Sequence, residues 1–206
     1  KQVLVDTNAP FEGLRIRDIE SVGGGCIHQA WRISLEDERV FFAKTNTPDA
    51  FLMFKQEEEG LNWLRRFSDD DFLVIPKPIE VRRFDTFSIL LMPWLDLSGT
   101  EQFLLGKGLA MMHKRSSGNN NGSFGWEKDG YIGSGLQVGG WRDEWGECFF
   151  ELRLLPQFQE ANNWGLETNS IERISSLLIA YLNKHEPTPC LVHGDLWSGN
   201  SYAQPD

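Results

Sequence analysis

The first half of the chain is built of short apolar runs at strand spacing. From Leu14 to Ser21, Leu14, Ile16 and Asp18 alternate with Arg15, Arg17 and Ile19, an imperfect strand pattern. Gly23-Gly24-Gly25 follow, and Ala30, Trp31, Ile33 and Leu35 predict a second strand. Val40-Phe41-Phe42-Ala43-Lys44 predicts a third, apolar strand that ends in a lysine. Thr47-Pro48-Asp49 has the make-up of a helix start. Phe54, Glu57, Leu61 and Leu64 then recur at three- and four-residue steps, which puts them on one helical face. Ile75-Pro76-Lys77-Pro78 breaks that pattern, and residues 79–83 and 87–92 predict a strand pair around Phe84-Asp85-Thr86.

After Met92 the spacing changes. Pro93 to Gly99 reads as a connector, and Phe103, Leu105, Leu109 and Met112 predict a helix. A polar, Gly/Asn-rich stretch from Ser116 to Gly140 is too long for an ordinary loop and predicts local structure or a functional segment. Trp141, Trp145, Phe149 and Leu152 predict one helix, and Ile171, Ile174, Leu178 and Leu182 another. Pro187-Thr188-Pro189 ends the second, and Leu191-Val192 is a short apolar step into His193-Gly194-Asp195. The order is therefore a strand-rich half, a connector and a helix-rich half, with no internal repeat.

Composition adds bounds. The 206 residues suit one large domain or two small lobes around a cleft. Eight Trp and fourteen Phe provide for a sizeable core. A net charge of −10 argues against nucleic-acid binding through overall charge, but a phosphate site needs only a few local donors. Cys26, Cys148 and Cys190 are odd in number and widely spaced, which fits neither a disulfide framework nor a CxxC metal site and points to a reducing cytoplasm. No apolar run reaches membrane-span length and no signal-peptide pattern is present at the N-terminus.

Several residues carry candidate chemistry. Gly23, Gly24 and Gly25 between two strands let backbone N–H groups approach a phosphate, although alone they read as a hairpin turn. Lys44 at a strand end can pair with phosphates, and alone it reads as an exposed strand lysine. Glu57 lies on an apolar helix face, where a carboxylate is costly unless paired, and Lys44 is the available partner; a helix-rim glutamate reads equally well. Cys26 beside the glycines is either an accessible thiol or an inert small residue. The strongest signal is His193-Gly194-Asp195-Leu196-Trp197-Ser198-Gly199-Asn200, with Asp and Asn five residues apart in a polar loop. In a kinase catalytic loop such an Asp orients the acceptor hydroxyl, and the Asn offers a neutral oxygen to Mg²⁺. Glycine-rich hairpin, strand lysine, helix glutamate, connector and Asp-x4-Asn stand in kinase order, which is worth more than any one alone.

These residues resemble the fructosamine-3-kinase/ketosamine-3-kinase family from about Ser21 to Asn200. Gly23-Gly24-Gly25-Cys26-Ile27 resembles its nucleotide loop, Phe42-Ala43-Lys44-Thr45-Asn46 is similar to its FVKxN segment, and Phe54-x-x-Glu57-x-x-Gly60-Leu61 resembles the helix with the partner glutamate. Leu105-Gly106 through His113, Phe124-Gly125, Tyr131-Ile132-Gly133, Gln137 and Trp141 continue the likeness, and His193 to Asn200 is its most specific piece.

The resemblance implies an α+β, protein-kinase-like two-lobed fold. The N-lobe, 1–92, would be an antiparallel sheet with one main helix; 93–206 would be part of a mainly helical C-lobe. It implies ATP-dependent phosphorylation of a sugar hydroxyl on ketoamines, either small molecules or glycated protein lysines. Aminoglycoside- or choline-kinase-like transfer and a non-catalytic pseudokinase are the alternatives. ATP and Mg²⁺ are the expected cofactors. Asp195 would be the catalytic residue and Asn200 the metal ligand. The three glycines, Lys44 and Glu57 would serve the phosphates, and backbone at Met92 to Leu95 would serve adenine. Trp197 would line the sugar pocket, since a ring face can stack on sugar C–H groups. The family's second metal-binding Asp, in an Asp-Pro segment after the loop, has no counterpart up to Asp206, so the chain reads as a fragment.

Overall fold

The computed structural model describes residues 10–11, 13–23, 27–97, 99, 102–119, 121–165 and 171–203. The chain clusters into two compact units. One joins residues 1–112 to 192–206, and the other is His113–Leu191.

The first unit is built on a five-stranded antiparallel sheet in the order β1-β2-β3-β5-β4, with β1 Ile16–Val22, β2 Gln29–Leu35, β3 Val40–Asn46, β4 Glu80–Arg83 and β5 Ser88–Pro93. The imperfect alternation before Ser21 has a local cause: the register with β2 shifts between Ile16 and Asp18. β5 explains the continuous apolar run. Ile89 and Leu91 enter a core with Phe11, Ile19, Trp31, Ile33, Leu35, Ala43 and Phe87. Leu90 and Met92, half a period away, enter a second core with Ala50 and Phe54. A strand covered on both faces needs no polar side.

The second core lies under α1 (Phe51–Phe67), which follows a single 3₁₀ turn at Pro48–Ala50. Phe54 is fully buried, and Leu61 packs against the same cluster. Buried Ser88 at the start of β5 donates from Oγ to the Pro48 carbonyl at 3.0 Å, satisfying a hydroxyl that would otherwise be costly. α2 (Gln102–Ser116) begins in this unit.

The second unit carries two short strand pairs, β6 (Phe124–Trp126) with β9 (Gly140–Arg142) and β7 (Gly130–Ile132) with β8 (Gly135–Gln137). The polar stretch from Ser116 to Gly140 is thus locally structured. α3 (Trp145–Phe149) runs through a π segment, Phe150–Leu154, into α4 (Leu155–Asn163), and α5 is Ile171–Asn183. One expectation is corrected here: Trp141 is in β9, opposite Gly125, and the helix starts only at Trp145. Its spacing to Trp145 mimicked a helical step. α3 and α5 approach closely at Gly146, where an added Cβ would lie 2.5 Å from the Ile179 carbonyl. The Gly146 N–H donates to Asn183 Oδ1 at 2.6 Å, and Asn183 Nδ2 bonds Glu144 Oε2. On α5, Leu177 and Tyr181 are exposed. Among the described residues no helix is long and apolar enough to cross a membrane.

Candidate functional site

Strand register sets the first half of the site. Lys44 is paired with Ala30 on β2 and Leu90 on β5. It therefore shares the sheet face of Leu90, the face that α1 covers. Glu57 lies one turn beyond Phe54 on the helix side turned to that core. Lys44 Nζ donates to Glu57 Oε1 at 2.5 Å, with both side chains about 30% exposed (30% and 28%). The pair is partly desolvated, so each charge has the partner that its position demands.

Of the three glycines, Gly23 follows β1 without obstruction at its α-carbon; Gly24, Gly25 and Cys26 lie outside the described residues. Met92 is buried in β5 opposite Phe42, and Leu95 is half-buried just beyond the strand. Trp94 between them donates its N–H to the Val40 carbonyl at 3.2 Å, which ties the connector back to β3.

The second half is the loop from His193 to Asn200. Gly194 has φ +85°, a left-handed conformation that a side chain would strain, and this turns the chain so that Asp195 N–H meets His193 Nδ1 at 3.2 Å. His193 Nδ1 must accept, so the ring is neutral with its proton on Nε2. Burial pushes the His193 pKa down; Asp195 and Glu57 oppose this and Lys44 adds to it. The loop imidazole thus lies within the field of the Lys44–Glu57 pair, although about 150 residues of chain separate them.

Asn200 Nδ2 donates to Asp195 Oδ2 at 2.8 Å and to the Asp195 carbonyl at 3.0 Å. Both acceptors require the nitrogen, so the amide oxygen Oδ1 is turned away from Asp195. The Trp197 carbonyl accepts from Asn200 N–H at 2.9 Å and from Ser201 Oγ at 3.0 Å, closing the turn. The Trp197 ring lies over Gly199, where an added Cβ would come within 2.3 Å of it, and is 52% exposed. Beyond the loop, Ala203 bridges to Gly99.

A neutral amide oxygen beside a carboxylate suits a hard cation that takes its other ligands from phosphates and water. Among the described residues no group of three His, Cys, Asp or Glu could hold a metal alone. The Asn200 amide oxygen and the Asp195 carboxylate are the oxygen donors that this loop offers to a hard cation.

One residue here escaped the sequence reading. His28, at the entry to β2, packs its ring on Phe54 at 4.7 Å and meets Asn46, the last residue of β3. Its signal was weak: a single histidine after a glycine run has many explanations. Cys148 is buried and Cys190 half-buried; both are free thiols, with pKa values raised by burial.

Comparison with known proteins bears on the family and the fold. The model of the fructosamine kinase family matches residues 3–206. A Synechocystis protein described as a "Probable ketoamine kinase" is 31% identical over 97% of this chain and 65% of its own length. The chloroplastic protein-ribulosamine 3-kinase of Arabidopsis thaliana is 34% identical over 90% of the chain and 57% of its own length. A crystal structure of a candidate fructosamine-3-kinase from Haemophilus somnus 129PT superposes with a TM-score of 0.81 at 25% identity, covering 100% of this chain and 68% of that one. One from Thermobifida fusca gives 0.73 at 28% identity. The chain spans 57–65% of the length of these two curated relatives. On the family match, the relatives and the shared protein-kinase-like α+β fold together, the chain belongs to the fructosamine kinase family.

Proposed function

We propose that the protein of which this chain forms the nucleotide-binding lobe (1–92) and part of the catalytic lobe (93–206) transfers the γ-phosphoryl group of ATP to a sugar hydroxyl of ketoamines. The acceptors are fructosamine or ribulosamine adducts of lysine or small amines, free or on glycated protein, in a reducing cytoplasm. The observation that carries the reading is the Lys44–Glu57 ion pair, a strand lysine held by a helix glutamate, in the same compact unit as the loop that holds Asp195 and Asn200. The names of the relatives point to the acceptor class.

In this reading the chain's residues divide the work of phosphoryl transfer, which is mostly positioning and charge stabilisation. Amides of Gly23, Gly24 and Gly25 cradle the phosphates. Lys44, held by Glu57, meets the α- and β-phosphates. Backbone groups from Met92 to Leu95 meet adenine. Asn200 Oδ1 would hold Mg²⁺, which when bound offsets negative charge on the phosphates. Asp195 orients the acceptor hydroxyl and takes its proton. The exposed ring of Trp197, two residues on, offers an apolar face to the sugar.

The test is ATP consumption by the full-length protein with fructoselysine and ribuloselysine, run beside an aminoglycoside and choline. Turnover confined to the ketoamines is expected. Turnover on the aminoglycoside or choline instead would replace the acceptor assignment, and nucleotide binding without turnover on any of the four would favour a non-catalytic protein.

A further inference from the structure

Asn46 closes β3 two positions after Lys44, and its side chain makes three hydrogen bonds that admit only one orientation of the amide. Thr47 N–H donates to Asn46 Oδ1 at 2.7 Å. Asn46 Nδ2 donates to the Ile27 carbonyl at 2.9 Å and lies 2.9 Å from His28 Nδ1. The Thr47 N–H needs an acceptor and the Ile27 carbonyl needs a donor, so oxygen and nitrogen cannot be exchanged. His28 Nδ1 must therefore accept, which makes His28 a neutral ring protonated on Nε2.

These bonds join three places. Ile27 and His28 are where the described chain resumes after the glycines and enters β2. Asn46 ends the strand that carries Lys44. Thr47 opens the turn into α1, and the His28 ring packs on Phe54 of that helix, one turn before Glu57. We propose that the Asn46 amide and the neutral His28 ring form a clamp that fixes the strand entry after the glycine loop against Lys44 and Glu57, making both of them positioning residues for the nucleotide phosphates. The proposal deepens the kinase reading and rests on it.

The surroundings of His28 favour the neutral form. Burial lowers its pKa, Lys44 on β3 adds to this, and Glu57 on α1 opposes it. Protonation would set an Nδ1–H against Asn46 Nδ2–H, two donors facing each other, and open the clamp.

The experiment measures binding of Mg²⁺–AMP-PNP to the full-length protein by titration calorimetry from pH 8 to pH 5.5, with a urea midpoint for each variant. His28→Phe keeps a ring against Phe54 but loses the acceptor; His28→Asn keeps an acceptor near Nδ1 but loses the ring. Asn46→Asp can still accept from Thr47 but cannot donate. At pH 8, His28→Phe and Asn46→Asp are expected to bind about tenfold more weakly, the scale of one lost hydrogen bond, and His28→Asn within about threefold of wild type. On acidification wild type weakens relative to His28→Asn, because only wild type has an imidazole to protonate. Asn46→Asp recovers, because a protonated His28 can donate to the new carboxylate.

Equal binding by all variants at pH 8, or the same pH profile in wild type and His28→Asn, would overturn the clamp and leave the kinase reading standing. A His28→Asn variant as weak as His28→Phe would assign the effect to packing and overturn it likewise. No nucleotide binding by wild type would overturn both the kinase reading and the clamp.

Discussion

Lys44 and Glu57 are held by regular structure, whereas Asp195 and Asn200 are held by a loop that satisfies itself. The first pair depends on strand register with Ala30 and Leu90, and on Phe54 anchoring α1 over the sheet. The second depends on a left-handed Gly194 and on bonds that begin and end within a few residues, from Asn200 to Asp195 and from Ser201 to Trp197. The ion pair sits at an edge of the core, while the loop's carboxylate and amide are exposed. Perturbing the first half should therefore cost stability, and perturbing the second should cost chemistry with the fold intact.

The largest effect on stability is expected at Phe54. It is fully buried between the sheet and α1, and it supports both the Glu57 helix and the His28 ring. Phe54→Ala removes its contacts and leaves a cavity, for which about 3–5 kcal/mol is typical. Urea unfolding should show that loss together with weakened nucleotide binding. A loss below about 1 kcal/mol would mean that α1 is held by other contacts, and would erase the contrast between the halves.

A smaller effect is expected from pH. His28 and His193 both have pKa values lowered from 6.5, so near and below that value the unfolded chain binds more protons than the folded one. Stability then rises with pH, and it falls on acidification through about 6.5. Cys148 and Cys190 have values raised from 9.0, so at alkaline pH the folded chain keeps protons that the unfolded chain releases. Stability falls there too as pH rises. Chemical denaturation from pH 5.5 to pH 9.5 should give a dome, with an acid limb that is flattened in His28→Asn. An acid limb unchanged in that variant would remove His28 from the account.

How much of this was legible in the sequence follows from the same contrast. The five strands and α1 were readable because burial on a sheet or helix writes a period into the residues. The polar class of Glu57 on an apolar face already asked for a cationic partner. The Trp141 expectation failed because a four-residue step to Trp145 has the same spacing whether or not a helix carries it, and Gly139 and Gly140 before it favoured a strand turn. The π segment at Phe150–Leu154 has no such period to read. The His193–Asn200 loop was recognisable by residue type and spacing, but not its internal bonds. The Asn46–His28 clamp was invisible, since it joins two polar side chains 18 residues apart whose meeting depends on the β2–β3 register.

The measurement that tests the central claim most directly is the rate of phosphoryl transfer to a ketoamine by the full-length protein, wild type beside Asp195→Asn, with AMP-PNP affinity measured on both. A positioned carboxylate of this kind typically contributes about 10²–10⁴ in rate. The account predicts a fall in kcat of that size, with an unchanged urea midpoint and nucleotide affinity within about threefold. Turnover by Asp195→Asn close to that of wild type would contradict it.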